Sequence, residues 1–484
     1  MTRNPLPHII VGALVILLAG VAGRISDFTL SRRAKSDREP CVLYPSTAPV
    51  GPTWQMTPTS GGPVRVLVKY RTESLPERIA KEILSGATIA QAERPGEGVG
   101  LERFASMPGL AVLGFSDMGS AEKALVAFRR DKSVAYAELD ATWHVDQAGP
   151  QPNDARFREQ WGLRNTGQPV NGHPGGKDGV DVDAVGAWQH GMGSSDLVVA
   201  VIDSGIDLKH EDLVENLWVN EGETPGNGID DDGNGVVDDV HGYDAIANSG
   251  DPDDDLGHGT HVAGIIGAVG DNDRGVSGVN WTTRVMALRF LGATGGGQTS
   301  DAIACIDYIL KMNERGANVR VVNCSWGSTE RSAALEEAIN RAIRSGVLFV
   351  CAAGNDGIDS DATPHYPSAY PNMGILSVAA LSPNETIAPF SNFGELSVDI
   401  AAPGVDILST LPDGAYGFAS GTSMASPFVA GMAALVASSN PKMPLELIRA
   451  RVLDGRQAVP GFDSRLMTGG RLSGGGAFAA GTSR

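Results

Sequence analysis

The chain of 484 residues is long enough for two or three domains, and 42% apolar content with 62 glycines suits a loop-rich globular protein rather than a disordered one. With 57 acidic against 38 basic residues its formal charge is −19, which repels polyanions and sets aside nucleic acid and anionic membrane surfaces as partners. Four cysteines, Cys41, Cys305, Cys324 and Cys351, are too few for a disulfide scaffold; Cys324 and Cys351 fall in apolar runs where a buried free thiol is the commoner fate.

Arg3 precedes an unbroken small and apolar run that closes with Gly20-Val21-Ala22, so residues 1–23 read as a signal peptide or, if uncleaved, as a membrane anchor. Arg24, Arg32, Arg33 and Lys35 follow the run, against the usual placement of positive charge on the cytoplasmic side. Residues 24–61 are rich in Ser, Pro, Thr and Gly without periodicity and read as a linker. Strand-like stretches at 64–70, 110–115 and 134–138, with helix candidates at 75–84 and 120–130, then suit a small α+β unit of the ferredoxin-like kind over residues 62–146. From 147 to 484 apolar strands at 198–202, 285–290, 320–324, 347–352 and 375–380 alternate with helices. That pattern predicts an α/β fold with a mostly parallel sheet covered on both faces, and chemistry at the carboxyl ends of its strands. Residues 472–484 read as a short Gly-rich tail.

The buried run Val198-Val199-Ala200-Val201-Ile202 ends in Asp203-Ser204-Gly205, which places a carboxylate against the core, where a charge needs a partner. A structural cap would supply one; so would a histidine to orient. His258-Gly259-Thr260-His261-Val262-Ala263-Gly264 reads as a loop running into a buried helix, with His258 at its mouth; a metal-binding pair is the rival reading, but no third ligand of Glu-His type accompanies it. In Gly421-Thr422-Ser423-Met424-Ala425-Ser426-Pro427, Ser423 stands at a helix N-terminus, where it is either an N-cap or a nucleophile favoured by free N–H groups.

The order Asp, His, Ser along the chain and the three motifs together resemble the subtilisin family of serine proteases, over about residues 153–480. The resemblance implies a subtilisin-like three-layer catalytic domain, a secreted endopeptidase with Asp203, His258 and Ser423 as triad, and a protein or peptide substrate. Ala352-Ala353-Gly354-Asn355 matches the family's oxyanion segment and implies Asn355 as donor to the oxyanion. Ser325-Trp326-Gly327 would form one edge of the substrate groove, and His365 would stand at the base of the primary specificity pocket, where a small residue or Asn is more familiar. Phe428 departs from the family's His at that place and is expected to change packing alone. In the family an N-terminal ferredoxin-like inhibitor prodomain blocks the cleft until removed, a role that falls to residues 62–146 here, with autocleavage between about Thr142 and Pro152; a permanent regulatory domain is the alternative. A binding-only pseudoenzyme and an esterase or transpeptidase are the rival functions, and the complete set of motifs speaks against the first.

Two cation sites are expected. In the stretch 227–239 Asp230, Asp232 and Asn234 take alternate positions of an EF-hand-like loop, with the Val236 carbonyl and Asp239 to follow, a hard-oxygen set that suits Ca²⁺, although His241 stands where an EF-hand has Glu. An acidic solvated loop is the alternative. The resemblance implies a second Ca²⁺ site from Asp154, Asp212 and Asn272 with carbonyls of the loop 271–276.

Overall fold

Alternation along the first described strand sets up a small antiparallel sheet. The computed structural model describes residues 64–71, 102–103, 109–115, 118–139 and 149–480; the N-terminal run, the linker, the helix expected at 75–84, Cys41 and the expected cleavage segment fall outside these, apart from 149–152. The chain divides into two compact units, with the boundary between His144 and Val145.

In the first unit β1 (Val64–Tyr70), β2 (Glu102–Arg103), β3 (Leu110–Phe115) and β4 (Val134–Leu139) pair in the order β2-β3-β1-β4, every neighbour antiparallel. Side chains alternate across a strand, so Val66, Val68 and Tyr70 share one face and bury it against Ala121, Leu125 and Phe128 of α1 (Met118–Arg130), spaced to lie on one side of that helix. This is the strand order of the ferredoxin-like unit expected from the sequence.

The second unit is built on a nine-stranded sheet. The strands that matter here are β5 (Gly193–Asp203), β6 (Gly242–Asp244), β7 (Thr282–Arg289), β8 (Val319–Cys324), β9 (Leu348–Ala352), β10 (Ile375–Leu381) and β11 (Ile400–Pro403), parallel throughout in the order β11-β10-β9-β8-β5-β7-β6. Two short strands at Gln457–Ala458 and Gly470–Arg471 extend the β11 edge. Strand β5 has β7 on one side and β8 on the other, so its carboxyl end is a topological switch point, where the outgoing loops part and leave a crevice. Asp203 is its last residue.

Helix α2 (His258–Gly267) and helix α3 (Thr422–Ser438) cross the same side of the sheet, and α3 is apolar all round because it is buried all round; between Thr422 and Ala437 only Ser423 is not buried. The Phe428 ring fills the space beside Gly162, where a built Cβ would lie 2.5 Å from its Cζ, so this departure from the family pattern is a matter of packing. Cys305, Cys324 and Cys351 are free and buried, and Cys324 faces Cys351 in register across β8 and β9. The expected glycine-rich tail instead contains a short helix, Gly474–Ala479, started by the Ser473 hydroxyl, which accepts from the Gly476 N–H at 3.3 Å. Glycine suits it because the backbone approaches closely: a Cβ on Gly476 would lie 1.9 Å from the Gly455 carbonyl oxygen.

Candidate active site

The β5 run delivers Asp203 to the switch point with its side chain fully buried, and 55 residues later the N-terminus of α2 delivers His258 to it. His258 Nδ1 lies 2.6 Å from Asp203 Oδ1, which also accepts the Ser204 N–H at 2.8 Å. The imidazole side chain is 29% exposed, so its far nitrogen is reachable from solvent while the carboxylate is not. Burial pushes the His258 pKa down, but the charge and hydrogen bond of Asp203, with the charge of Asp254 behind them, outweigh it and the net shift is upward. His261, one turn on, faces away from the cleft: its Nε2 binds the Ile407 and Gly417 carbonyls, and burial pushes its pKa down to about 4, so it ties α2 to the hairpin of β12 (Ile407–Leu411) and β13 (Ala415–Ala419) as a neutral side chain.

Ser423 stands in the first turn of α3, and its hydroxyl donates to the Ser325 carbonyl at 3.0 Å. Among the described residues no hydrogen bond joins it to His258. A cavity of about 290 Å³ gathers the expected residues around it: His258, Ser325, Trp326, Gly327, Asn355, His365 and Ser423 all line it.

Asn355 follows β9, and its Oδ1 accepts both the Thr422 N–H and the Thr422 hydroxyl at 2.9 Å, which fixes the amide so that Nδ2 is left for the cleft. The Ser325 side chain, by contrast, is turned inward, its hydroxyl between the Ser423 carbonyl (2.8 Å) and the Ser426 hydroxyl (2.9 Å), so its own contribution to a substrate groove is backbone. Trp326 packs its ring edge-on against Phe290 and donates its indole N–H to the Ile202 carbonyl at 2.7 Å, forming a fixed wall. His365 is buried, and its ring spans the gap between two glycines: a Cβ built on Gly327 would meet its Cε1 at 2.1 Å and one on Gly354 its Cδ2 at 3.0 Å. Burial lowers its pKa, so the ring is a neutral plug in the cavity floor.

The acidic loop brings to Asp230 and Asp232 a carboxylate that the expected set did not include. Carboxylate oxygens of Glu223, Asp230 and Asp232 lie within 4.8 Å of one another. Asp239 is turned into the core, where it accepts from Asn220, Asn234 and the Tyr308 hydroxyl, and Asn234 Oδ1 accepts the Val236 N–H. Asp239 and Asp232 share the Asn220 and Asn234 amides as donors, and Glu223 accepts the Asp232 and Asp238 N–H groups beside them. Glu223 lies outside a twelve-residue loop window, so only the general density of acidic residues hinted at it.

Asp154, Asp212 and the loop after α2 do come together. Asp154 Oδ2 accepts the Asp271 N–H at 2.7 Å, and Asp212 accepts from Asn272 Nδ2 at 2.6 Å and from the Val276 N–H at 2.8 Å. Asp154 Oδ1 is buried with no partner, and burial, with the Asp212 and Asp271 charges adding, pushes its pKa up to about 6 despite backbone hydrogen bonds. A buried carboxylate oxygen without a donor is what a hard cation would satisfy, so these residues fit Ca²⁺.

Comparison with known proteins agrees with this geometry. The subtilase family model matches residues 194–467, which include Asp203, His258, Asn355 and Ser423. A thermophilic serine proteinase of Bacillus sp. strain AK1 is 36% identical over 322 residues, 66% of this chain and 67% of that protein. Subtilisin-like protease 1 of Plasmodium falciparum isolate 3D7 is 34% identical over 293 residues, but this chain spans only 42% of its length. The solved structure of a protease from Pseudoalteromonas arctica matches with a TM-score of 0.52 at 29% identity, covering 68% of this chain and 99% of that one. The chain belongs to the subtilase family and is a subtilisin-like serine endopeptidase.

Proposed function

We propose that this protease uses Asp203, His258 and Ser423 as its triad and Asn355 as oxyanion donor, is exported, and matures by cutting away its own N-terminal unit. The 2.6 Å contact of a buried Asp203 with a partly exposed His258, in one cavity with Ser423 and Asn355, carries this reading. His258 Nε2 takes the Ser423 proton as Oγ attacks the scissile carbonyl carbon. The oxyanion that forms receives N–H groups from Asn355 Nδ2 and the Ser423 backbone, which lies in a helix first turn and has no intrahelical acceptor. Collapse breaks the C–N bond, His258 returns the proton to the leaving amine, and water then hydrolyses the acyl-enzyme by the same route.

Export rests on the apolar run of residues 9–23; retention of that run would leave a membrane-anchored enzyme with its catalytic domain outside. The ferredoxin-like strand order of the first unit supports its role as an intramolecular inhibitor. Intact-mass and N-terminal analysis of the wild type beside Ser423→Ala tests nucleophile and maturation together. The expected result is loss of about 140 residues in the wild type alone; two full-length products under calcium would sink autoprocessing.

Calcium would be held by Asp154, Asp212 and carbonyls of the 271–276 loop, and by Glu223, Asp230 and Asp232, where its charge would pin loops. At about 100 times its dissociation constant a ligand stabilises by about 2.7 kcal/mol, so EDTA is expected to lower Tm by about 5 °C, and an unchanged melting curve would speak against both sites. Because the His365 ring fills the floor between Gly327 and Gly354, peptides with Ala or Gly before the scissile bond should be cut at least about tenfold faster than those with Phe, and His365→Gly should reverse that preference. A wild-type preference for Phe would refute this.

A further inference from the structure

A histidine and a carboxylate that must meet to within a hydrogen bond come here from segments 55 residues apart, one at a strand end and one at a helix start. The N-cap position ahead of helix α2 is Gly257, which has no side chain to cap the free N–H groups of the first turn. The caps come from elsewhere. The Gly259 N–H donates to the Ser204 hydroxyl oxygen at 2.9 Å, and the Thr260 N–H to Asp254 Oδ2 at 2.9 Å.

Asp254 collects more than that one bond. Its Oδ2 also accepts the Thr260 hydroxyl at 2.6 Å, while Oδ1 accepts the Ser204 hydroxyl at 2.9 Å and the N–H groups of Leu256 at 3.0 Å and Gly257 at 2.8 Å. Thr260 Oγ in turn accepts the Asp207 N–H at 2.9 Å. One buried carboxylate, 9% exposed, thus receives donors from the segment that follows Asp203 and from the first turn that carries His258. The Ser204 N–H, on the residue whose hydroxyl Asp254 holds, is bonded to the same Asp203 oxygen that meets His258.

We propose that Asp254 is a positioning residue of the catalytic apparatus: it locks the end of β5 to the start of α2 and so holds His258 against Asp203, while its negative charge beside the helix N-terminus favours the imidazolium formed during catalysis. This rests on His258 acting as the base. The charged or titratable groups that face His258 are Asp203 from β5, Asp254 from the loop ahead of α2, and His261 one turn along, which stays neutral. Asp254 adds to the upward shift of His258, so its loss lowers the pH at which the base becomes neutral.

Asparagine at 254 has the same shape but only one accepting oxygen, so whichever way its amide turns, donors at either Thr260 or Gly257 meet an NH₂ group. The test measures kcat, KM and the pH profile of kcat/KM on a peptide p-nitroanilide for the full chain and for Asp254→Asn, Asp254→Glu and Ser204→Ala. Asp254→Asn is expected to lose about 10²-fold in kcat with KM within about threefold, and its acid limb to move to lower pH. Asp254→Glu, charged but misplaced, should lose kcat and keep the wild-type limb; Ser204→Ala, which removes the relay hydroxyl and leaves the charge, should do the same to a smaller degree.

An Asp254→Asn enzyme with wild-type kcat and limb overturns the proposal, as does one whose loss lies only in KM or in Tm. Should Asp254→Asn fail to fold, wild-type kcat in Ser204→Ala overturns it. Absence of hydrolysis in the wild type would refute the triad reading instead, so the two failures are told apart.

Discussion

Ser423→Ala is expected to lower kcat for peptide hydrolysis by about 10⁶-fold, a magnitude known from subtilisin itself, and Asp203→Asn by about 10⁴-fold, the loss known for the same change in the chymotrypsin-like triad. The difference has a structural cause. Without Oγ there is no nucleophile, whereas Asp203→Asn leaves nucleophile and base in place and spoils only their alignment. Asp203 Oδ1 accepts from both His258 and the Ser204 N–H, and Oδ2 is buried without a partner. An asparagine must either bury an unsatisfied NH₂ group at Oδ2 or turn it toward His258 Nδ1. The latter selects the tautomer with its proton on Nε2, which cannot accept one from Ser423.

The pH profile gives a second readout. Burial alone pushes His258 down, and Asp203 is the foremost cause that pushes it up. The base works when neutral, so wild-type activity rises with pH through a pKa above the ordinary histidine value; in Asp203→Asn desolvation prevails and the acid limb should move to lower pH. A limb that stays put in the variant would show that Asp203 does not set the charge of His258.

The candidate triad was legible because each member closes or opens an apolar run that the fold must bury. Residues 198–202 could only be a central strand, so Asp203 could only stand at its end; the helices beginning at His258 and Thr422 are apolar enough to be forced against the sheet, leaving one polar residue of each at the rim. The long strands fell where apolar periodicity put them. The short strands Gly242–Asp244 and Ile400–Pro403 and the hairpin after them carry too few residues for a period, and they form because a sheet already built offers them partners. Glu223 and Asp254 were missed for a related reason. Their roles come from contacts across the fold, and nothing in their immediate sequence separates them from neighbouring surface acids. The Tyr308 hydroxyl that Asp239 accepts comes from 69 residues on, a contact that the loop's own spacing could not show.

Asn355 is the other residue from which a large effect is expected. Its Oδ1 is held by two donors of Thr422, the residue immediately before Ser423, so the side chain is fixed with its N–H groups left for the cleft. Asn355→Ala should therefore lower kcat by about 10²–10³-fold with KM nearly unchanged, a range established in part on subtilisin's own oxyanion asparagine. Alanine alone leaves open whether the loss comes from the missing donor or from loosening of Thr422. Asn355→Asp separates them. A carboxylate has the same shape and accepts both Thr422 bonds more strongly, yet it has no N–H to give and sets a negative charge against the oxyanion. Its kcat should fall at least as far as that of the alanine variant while Tm stays at the wild-type value. Should the aspartate variant keep kcat within about threefold of wild type, the oxyanion is stabilised from elsewhere, with the Ser423 N–H at the start of α3 as the remaining donor.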